Sequence, residues 1–151
     1  MIEVQAPNAY QHLDTYTVFL GGSIEMNTAE EWQKRVIREC AGTDITFLNP
    51  RRDNWNSRVP QEADNPEFAE QVNWELDALH YANLVVFYFD PATKAPITLM
   101  ELGLMASLPA KVIVCCPDGF WRKGNVEIVC RRYHIPMVDT LETLISELKL
   151  L

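Results

Sequence analysis

Leu84 to Phe89 is an unbroken apolar run, LVVFYF, rich in Val and aromatic residues. Such a run reads as a strand buried on both faces, and strands of that kind belong to parallel sheets covered by helices on either side. Asp90-Pro91 ends the run, and Pro91 to Pro96 reads as loop. Thr98 to Ser107 reads as a helix, with Leu99, Leu102 and Met105-Ala106 at helical spacing. One carboxylate, Asp90, leaves the carboxyl end of the strand. A second, Glu101, is expected in the first turn of the following helix. Open α/β sheets bind ligands at the carboxyl ends of their strands, so chemistry is expected here. Glu101 has two readings. Thr98-Leu99-Met100-Glu101 fits a capping box, in which the acid reaches back to the cap residue's N–H. A helix N-terminus would also hold a carboxylate ionised at neutral pH, as a carboxylate nucleophile requires.

The rest of the chain repeats the strand-to-helix pattern. Tyr16 to Leu20 (YTVFL) reads as a strand, Gly21-Gly22-Ser23-Ile24 follows at once, and a helix is expected from Thr28 to Ala41 with Thr28 and Glu31 as a capping box. The two glycines either let a ligand approach the backbone closely or make a tight turn. The G-x-G-x-x-G pattern is absent, so a dinucleotide is not implied. Asp44 to Leu48 reads as the second strand. The polar loop after it is long for a compact domain and carries Asp53, Asn54, Trp55 and Asn56. Trp55 reads either as a stacking face for a planar ligand or as a plug over the core.

Pro66 to Tyr81 reads as a helix with Phe68, Val72, Leu76 and Leu79 on one stripe. Asp77 flanks that stripe, by default as a solvated acid. Lys111 to Cys116 and Ile135 to Val138 read as further strands. Val126 to Tyr133, capped by Asn125, and Thr140 to Leu151 read as helices. The alternation predicts one α/β domain with a doubly wound, five-stranded parallel sheet, helices on both faces, and residues 1–15 as an irregular arm.

A chain of 151 residues is long enough for one domain with a sizeable core. Its formal net charge of −8 argues against a nucleic-acid backbone or an anionic membrane as the main partner, and favours a small ligand that is not strongly anionic. The four cysteines show no zinc spacing and read as free thiols in a reducing cytoplasm. There is no signal-peptide pattern, and no apolar run approaches the roughly 18 residues that span a bilayer.

VFLGGSIE, LNPRRDNW, QVNWELDAL, PITLMELGL and GFWRKGNVEIVC occur in that order between about Val18 and Tyr133. Together they resemble the nucleoside 2-deoxyribosyltransferase superfamily, in particular its deoxyribosyltransferase-like branch of small bacterial and phage proteins. The resemblance implies a flavodoxin-like fold. It implies that Glu101, in an ELG-type motif, is the nucleophile, with Asp90 and Asp77 beside it as proton donor or as holder of a sugar hydroxyl. It implies that Asn125 completes the sugar pocket of a neighbouring subunit, and hence a homo-oligomer with shared sites, and that Phe19 or Tyr16 supports the nucleophile. With Gly21, Gly22, Ser23, Asn54 and Trp55, these residues form the expected substrate-binding set.

The implied activity exchanges the base of a 2′-deoxyribonucleoside for a free nucleobase through a covalent glycosyl-Glu101, with no metal or organic cofactor. Hydrolysis by the same Glu is one alternative. A non-catalytic nucleotide-sensing module is another. Related hydrolases of nucleoside 5′-monophosphates carry a basic residue just after the GS(I) turn. Here Glu25 follows Ile24, which with the net charge of −8 favours an unphosphorylated nucleoside.

Overall fold

The apolar runs form the strands of one sheet. A computed structural model describes residues 1–11, 13–24 and 30–151. Its strands are β1 (Ile2–Gln5), β2 (Tyr16–Gly22), β3 (Ile45–Asn49), β4 (Leu84–Tyr88), β5 (Val112–Cys115) and β6 (Met137–Val138). They make a six-stranded sheet in the order β1-β3-β2-β4-β5-β6, and every pairing is parallel. The helices are α1 (Trp32–Glu39), α2 (Pro66–Tyr81), α3 (Pro96–Met105), α4 (Lys123–Tyr133) and α5 (Leu141–Leu148). Setting β1 aside, the other five strands follow the flavodoxin-like order, which reverses at β2 and opens a crevice between the carboxyl ends of β2 and its neighbours.

Successive strand residues point to opposite faces, so each strand feeds two cores. Phe19, Leu48, Val85 and Phe87 pack with Leu79 of α2, Leu102 and Met105 of α3, and Val126 and Cys130 of α4. Val18, Leu20, Phe47 and Val86 pack on the other face with Trp32, Val36 and Ile37 of α1 and Leu141, Leu144 and Leu148 of α5. All four cysteines are free and buried. Among the described residues, no helix is long and apolar enough to cross a membrane.

The sheet has six strands where five were expected. Ile2–Gln5 pairs with β3 on one side only, and Met1 to Glu3 are exposed. An edge strand with one pairing partner shows neither a continuous apolar run nor clean alternation. Ile2–Gln5 is therefore a strand rather than part of an irregular arm, and the described residues from Ala6 to Thr15 form no helix or strand. Gln5 Nε2 donates to the Arg51 carbonyl at 2.8 Å, Trp74 Nε1 donates to the Asn8 carbonyl at 2.9 Å, and Tyr10 packs edge-on against Trp74.

Two helix starts also differ. α3 begins at Pro96, with Ala95 as its cap in the left-handed region and Pro at the first helical position. Glu101 is thus in the second turn, and no capping box forms at Thr98. α4 begins at Lys123, which places Asn125 inside the helix rather than at its cap. The expected cap of the first helix, Thr28, lies outside the described residues.

Candidate active site

The glycines expected to form a turn belong to β2 itself. Gly21 pairs with Phe87 and Gly22 with Tyr88. Gly22 has φ +152°, and a Cβ there would meet the Tyr88 carbonyl oxygen at 2.5 Å and Trp32 at 2.8 Å. The close approach that requires glycine at this position is made by the protein's own neighbouring strand. Ser23 then ties β2 to the loop after β4. Its N–H donates to the Tyr88 carbonyl at 3.0 Å, while its Oγ accepts from the Asp90 N–H at 2.9 Å and the Thr93 hydroxyl at 2.7 Å.

This junction forms the floor of a cavity of about 810 Å³ at the carboxyl ends of the strands. β2 and its exit contribute Phe19, Gly21, Gly22 and Ser23, and the loop after β3 contributes Arg51, Arg52 and Trp55. α2 presents Phe68, Gln71, Val72 and Glu75 at helical spacing, and α3 presents Ile97, Met100 and Glu101. Its ionisable lining, among the described residues, is Arg51, Arg52, Glu75 and Glu101.

Glu101 is only 5% exposed. Burial, with Glu75 nearby, pushes its carboxyl up to about 8. Burial also pushes Glu75 up to about 7, against a hydrogen bond from Gln71 Nε2 at 2.7 Å. The expectation that a helix terminus keeps Glu101 ionised is therefore overturned. The dipole acts within the first turn, Glu101 is one turn further on, and burial among protein atoms desolvates its charge. Two mutually repelling carboxyls titrate as a unit. Between their two ionisations the pair holds one proton, which leaves one carboxylate and one carboxylic acid in a single cavity.

The remaining expected site residues divide. Phe19, Gly21, Gly22, Ser23 and Trp55 line the cavity with Glu101, whereas Asp90, Asp77, Asn54 and Asn125 do not. Asp90 is buried at the end of β4, but its carboxylate accepts the Ala92 N–H at 2.8 Å and the Glu30 N–H at 3.1 Å, so it fixes the loop. Asp77 and Asn54 are exposed, and so is Asn125 on α4. Trp55 is half-buried and lies outside the two buried cores, and the Arg52 guanidinium sits 5.2 Å from its ring centre.

Sequence reasoning missed Glu75, Gln71 and Arg52. Gln71 and Glu75 are four apart on α2, beside the apolar Phe68 and Val72, and that spacing was the available signal. No group of three or more His, Cys, Asp or Glu among the described residues could hold a metal ion.

A family model described as "Nucleoside 2-deoxyribosyltransferase like" matches residues 15–120, well over half of the chain. The chain belongs to this family. The matched span runs from β2 to the loop after β5 and includes every cavity-lining residue of the nucleoside 2-deoxyribosyltransferase-like domain. No curated protein matches the chain. Among solved structures, a conserved protein from Enterococcus faecalis V583 is similar in fold, with a TM-score of 0.62 and 11% identity over 90% of this chain and 98% of that one.

Proposed function

We propose that this protein is a nucleoside 2′-deoxyribosyltransferase that moves deoxyribose between bases through a covalent glycosyl-Glu101. The observation that carries this reading is the pair Glu101 and Glu75, two carboxyls pushed up to about 8 and about 7 in one cavity at the sheet's reversal point. Glu101 is the more basic of the two, so the one-proton pair reacts through its less populated form, in which the proton sits on Glu75 and ionised Glu101 attacks the anomeric carbon. The C–N bond breaks, its electron pair goes to the base nitrogen, and Glu75 delivers its proton there. The incoming base attacks the same carbon, Glu101 leaves as carboxylate, and Glu75 takes the base's proton back. Two displacements give net retention.

Incubation with deoxyinosine and adenine tests the reading directly. Deoxyadenosine is the expected product. Free deoxyribose alone would make the protein a hydrolase, and no base release from any deoxynucleoside or its 5′-monophosphate would refute glycosyl chemistry.

Trp55 offers the base a flat wall on the ring face that Arg52 leaves open. Trp55→Ala is expected to weaken substrate binding roughly 5- to 150-fold, the scale of one lost base–aromatic stack. Affinity and melting temperature measured on the same sample check this. Lost stability with unchanged affinity would mean that Trp55 serves packing alone.

The outer face of α3 supports a homo-oligomer. Ile97, Met100 and Leu104 are each more than half exposed there, as is Ile128 on α4. Ile97 and Met100 also line the cavity, so a second copy on this face would wall each site. Light scattering is expected to show a dimer or larger assembly, and Leu104→Glu with Ile128→Glu to shift it toward monomer. A fully active wild-type monomer would exclude shared sites.

A further inference from the structure

Arg52 stands in the cavity wall with its Nε and Nη1 sealed from solvent and without any hydrogen-bond acceptor. Among the described residues no carboxylate forms an ion pair with it, and the adjacent Asp53 is taken by Lys34 at 2.9 Å. Its neighbour Arg51 is held differently, with Nη1 donating to the Glu30 carbonyl at 2.9 Å. Among the described residues Arg52 forms no ion pair with the two acids of the cavity. Glu75 and Glu101 are raised by burial, and Glu101 by Glu75 as well, with no cation pulling either down.

Arg52 is half-buried, and sealing two of its guanidinium nitrogens without acceptors is costly for a cation. Such an arrangement is expected where a ligand supplies the missing charge. Trp55 covers a face of the guanidinium, and rotation of the half-buried Arg52 side chain would turn its in-plane N–H groups into the cavity, where that fork matches the oxygens of a phosphate.

We propose that Arg52 anchors a phosphate carried by the substrate, so that the protein acts on nucleoside 5′-monophosphates in preference to free nucleosides. This rests on the glycosyl-transfer reading and deepens it. The net charge of −8 pointed the other way, but a ligand in a low-dielectric cavity responds to the nearest charges. Here those are two guanidiniums, with both carboxyls held toward their neutral forms. Related monophosphate hydrolases place their cation just after the first turn, at a position that here falls on Glu25, outside the described residues. Arg52 supplies the charge from the next strand's loop instead. A second unpaired atom fits the same ligand. Gln71 is 8% exposed, its Nε2 donates to the Pro50 carbonyl and to Glu75, and its Oε1 has no partner. It is an acceptor for a sugar hydroxyl or a base N–H.

The test is calorimetric binding in phosphate-free buffer, in a Glu101→Gln background that blocks turnover. The four common deoxynucleosides, their 5′-monophosphates and inorganic phosphate are titrated. At least one monophosphate is expected to bind roughly 10- to 100-fold more tightly than its nucleoside, the scale of hydrogen bonds to a charged group. Arg52→Gln is expected to shrink that ratio to about threefold or less, and Arg52→Lys to keep part of it. Inorganic phosphate is expected to compete with the monophosphate.

Equal affinities in the protein that retains Arg52, or a ratio that survives Arg52→Gln, would overturn the proposal. So would inorganic phosphate tightening nucleoside binding, because the anion would then be a separate ligand. If Arg52→Gln does not fold, the ratio and the competition in the Arg52 protein decide alone. The two readings fail separately. Monophosphate preference without base release by the wild type would remove the transferase and leave the anchor. Base exchange on free nucleosides with no monophosphate preference would do the reverse.

Discussion

Glu101→Gln is expected to abolish turnover and, at pH 8, to make the protein more stable than the wild type. Loss of a covalent nucleophile lowers turnover by about 10³-fold or more. The gain in stability follows from burial. The Glu101 carboxyl is pushed from its ordinary 4.5 up to about 8 in the folded chain. Between those values the unfolded chain has released a proton that the folded chain still holds, so stability falls as pH rises through that window. Stability from this group is fully present below about pH 4.5 and is lost by about pH 8.

An amide of the same shape never ionises and removes the dependence. The variant should gain on the order of 3 kcal/mol at pH 8, roughly 5 to 10 °C in melting temperature for a chain of this size, and almost nothing near pH 4.5. Thermal melts of both proteins across pH, with base-exchange assays on the same preparations, check this. A variant that melts lower at pH 8 would show that Glu101 serves the fold, and near wild-type turnover would refute its role as nucleophile.

Glu75→Gln is expected to reduce turnover by about 10²- to 10⁴-fold, the usual contribution of general acid–base catalysis. Asp77→Asn should leave it nearly unchanged. Asp77 lies two residues beyond Glu75 on α2, and two residues rotate a side chain by about 200°, from the cavity wall to solvent. A substrate whose base departs without a proton separates catalysis from packing. An N7-methylated purine deoxynucleoside should recover most of the rate lost in Glu75→Gln. The alkaline limb of the pH–rate profile, set by the pair's remaining proton, should vanish in that variant. Wild-type rates in Glu75→Gln, or an equal loss with the methylated substrate, would exclude it as the proton donor.

The strand Leu84–Tyr88 and the helix Pro66–Tyr81 were legible because each carries a strong local signal, a continuous apolar run in one and a capped, proline-started stripe in the other. The edge strand Ile2–Gln5 was not legible, since its pairing with β3 depends on residues far along the chain. Glu101 lines the cavity, but burial holds its carboxyl toward the neutral form rather than ionised. The sequence showed an acid near a helix start, while its charge state depends on how deeply the fold buries it and on Glu75. That Glu75 lines the cavity while Asp77 faces solvent is a matter of helical phase. Both acids lie near the apolar stripe, and which side of it the cavity occupies is set by where α3 docks. Arg52 carried no local mark that separates it from Arg51, because what distinguishes them is which one has a partner.

The central position of β2 sets an order on synthesis. Its residues leave the ribosome early, yet one edge waits for β3 and the other for β4, where Leu20 meets Val86. Until β4 emerges, the segment Val18-Phe19-Leu20 presents an unpaired apolar edge, the kind of surface that recruits other chains. A nascent chain stalled before Leu84 should therefore depend on chaperones to stay soluble. Release of one stalled after Tyr88 should yield a sheet centre already closed on both sides.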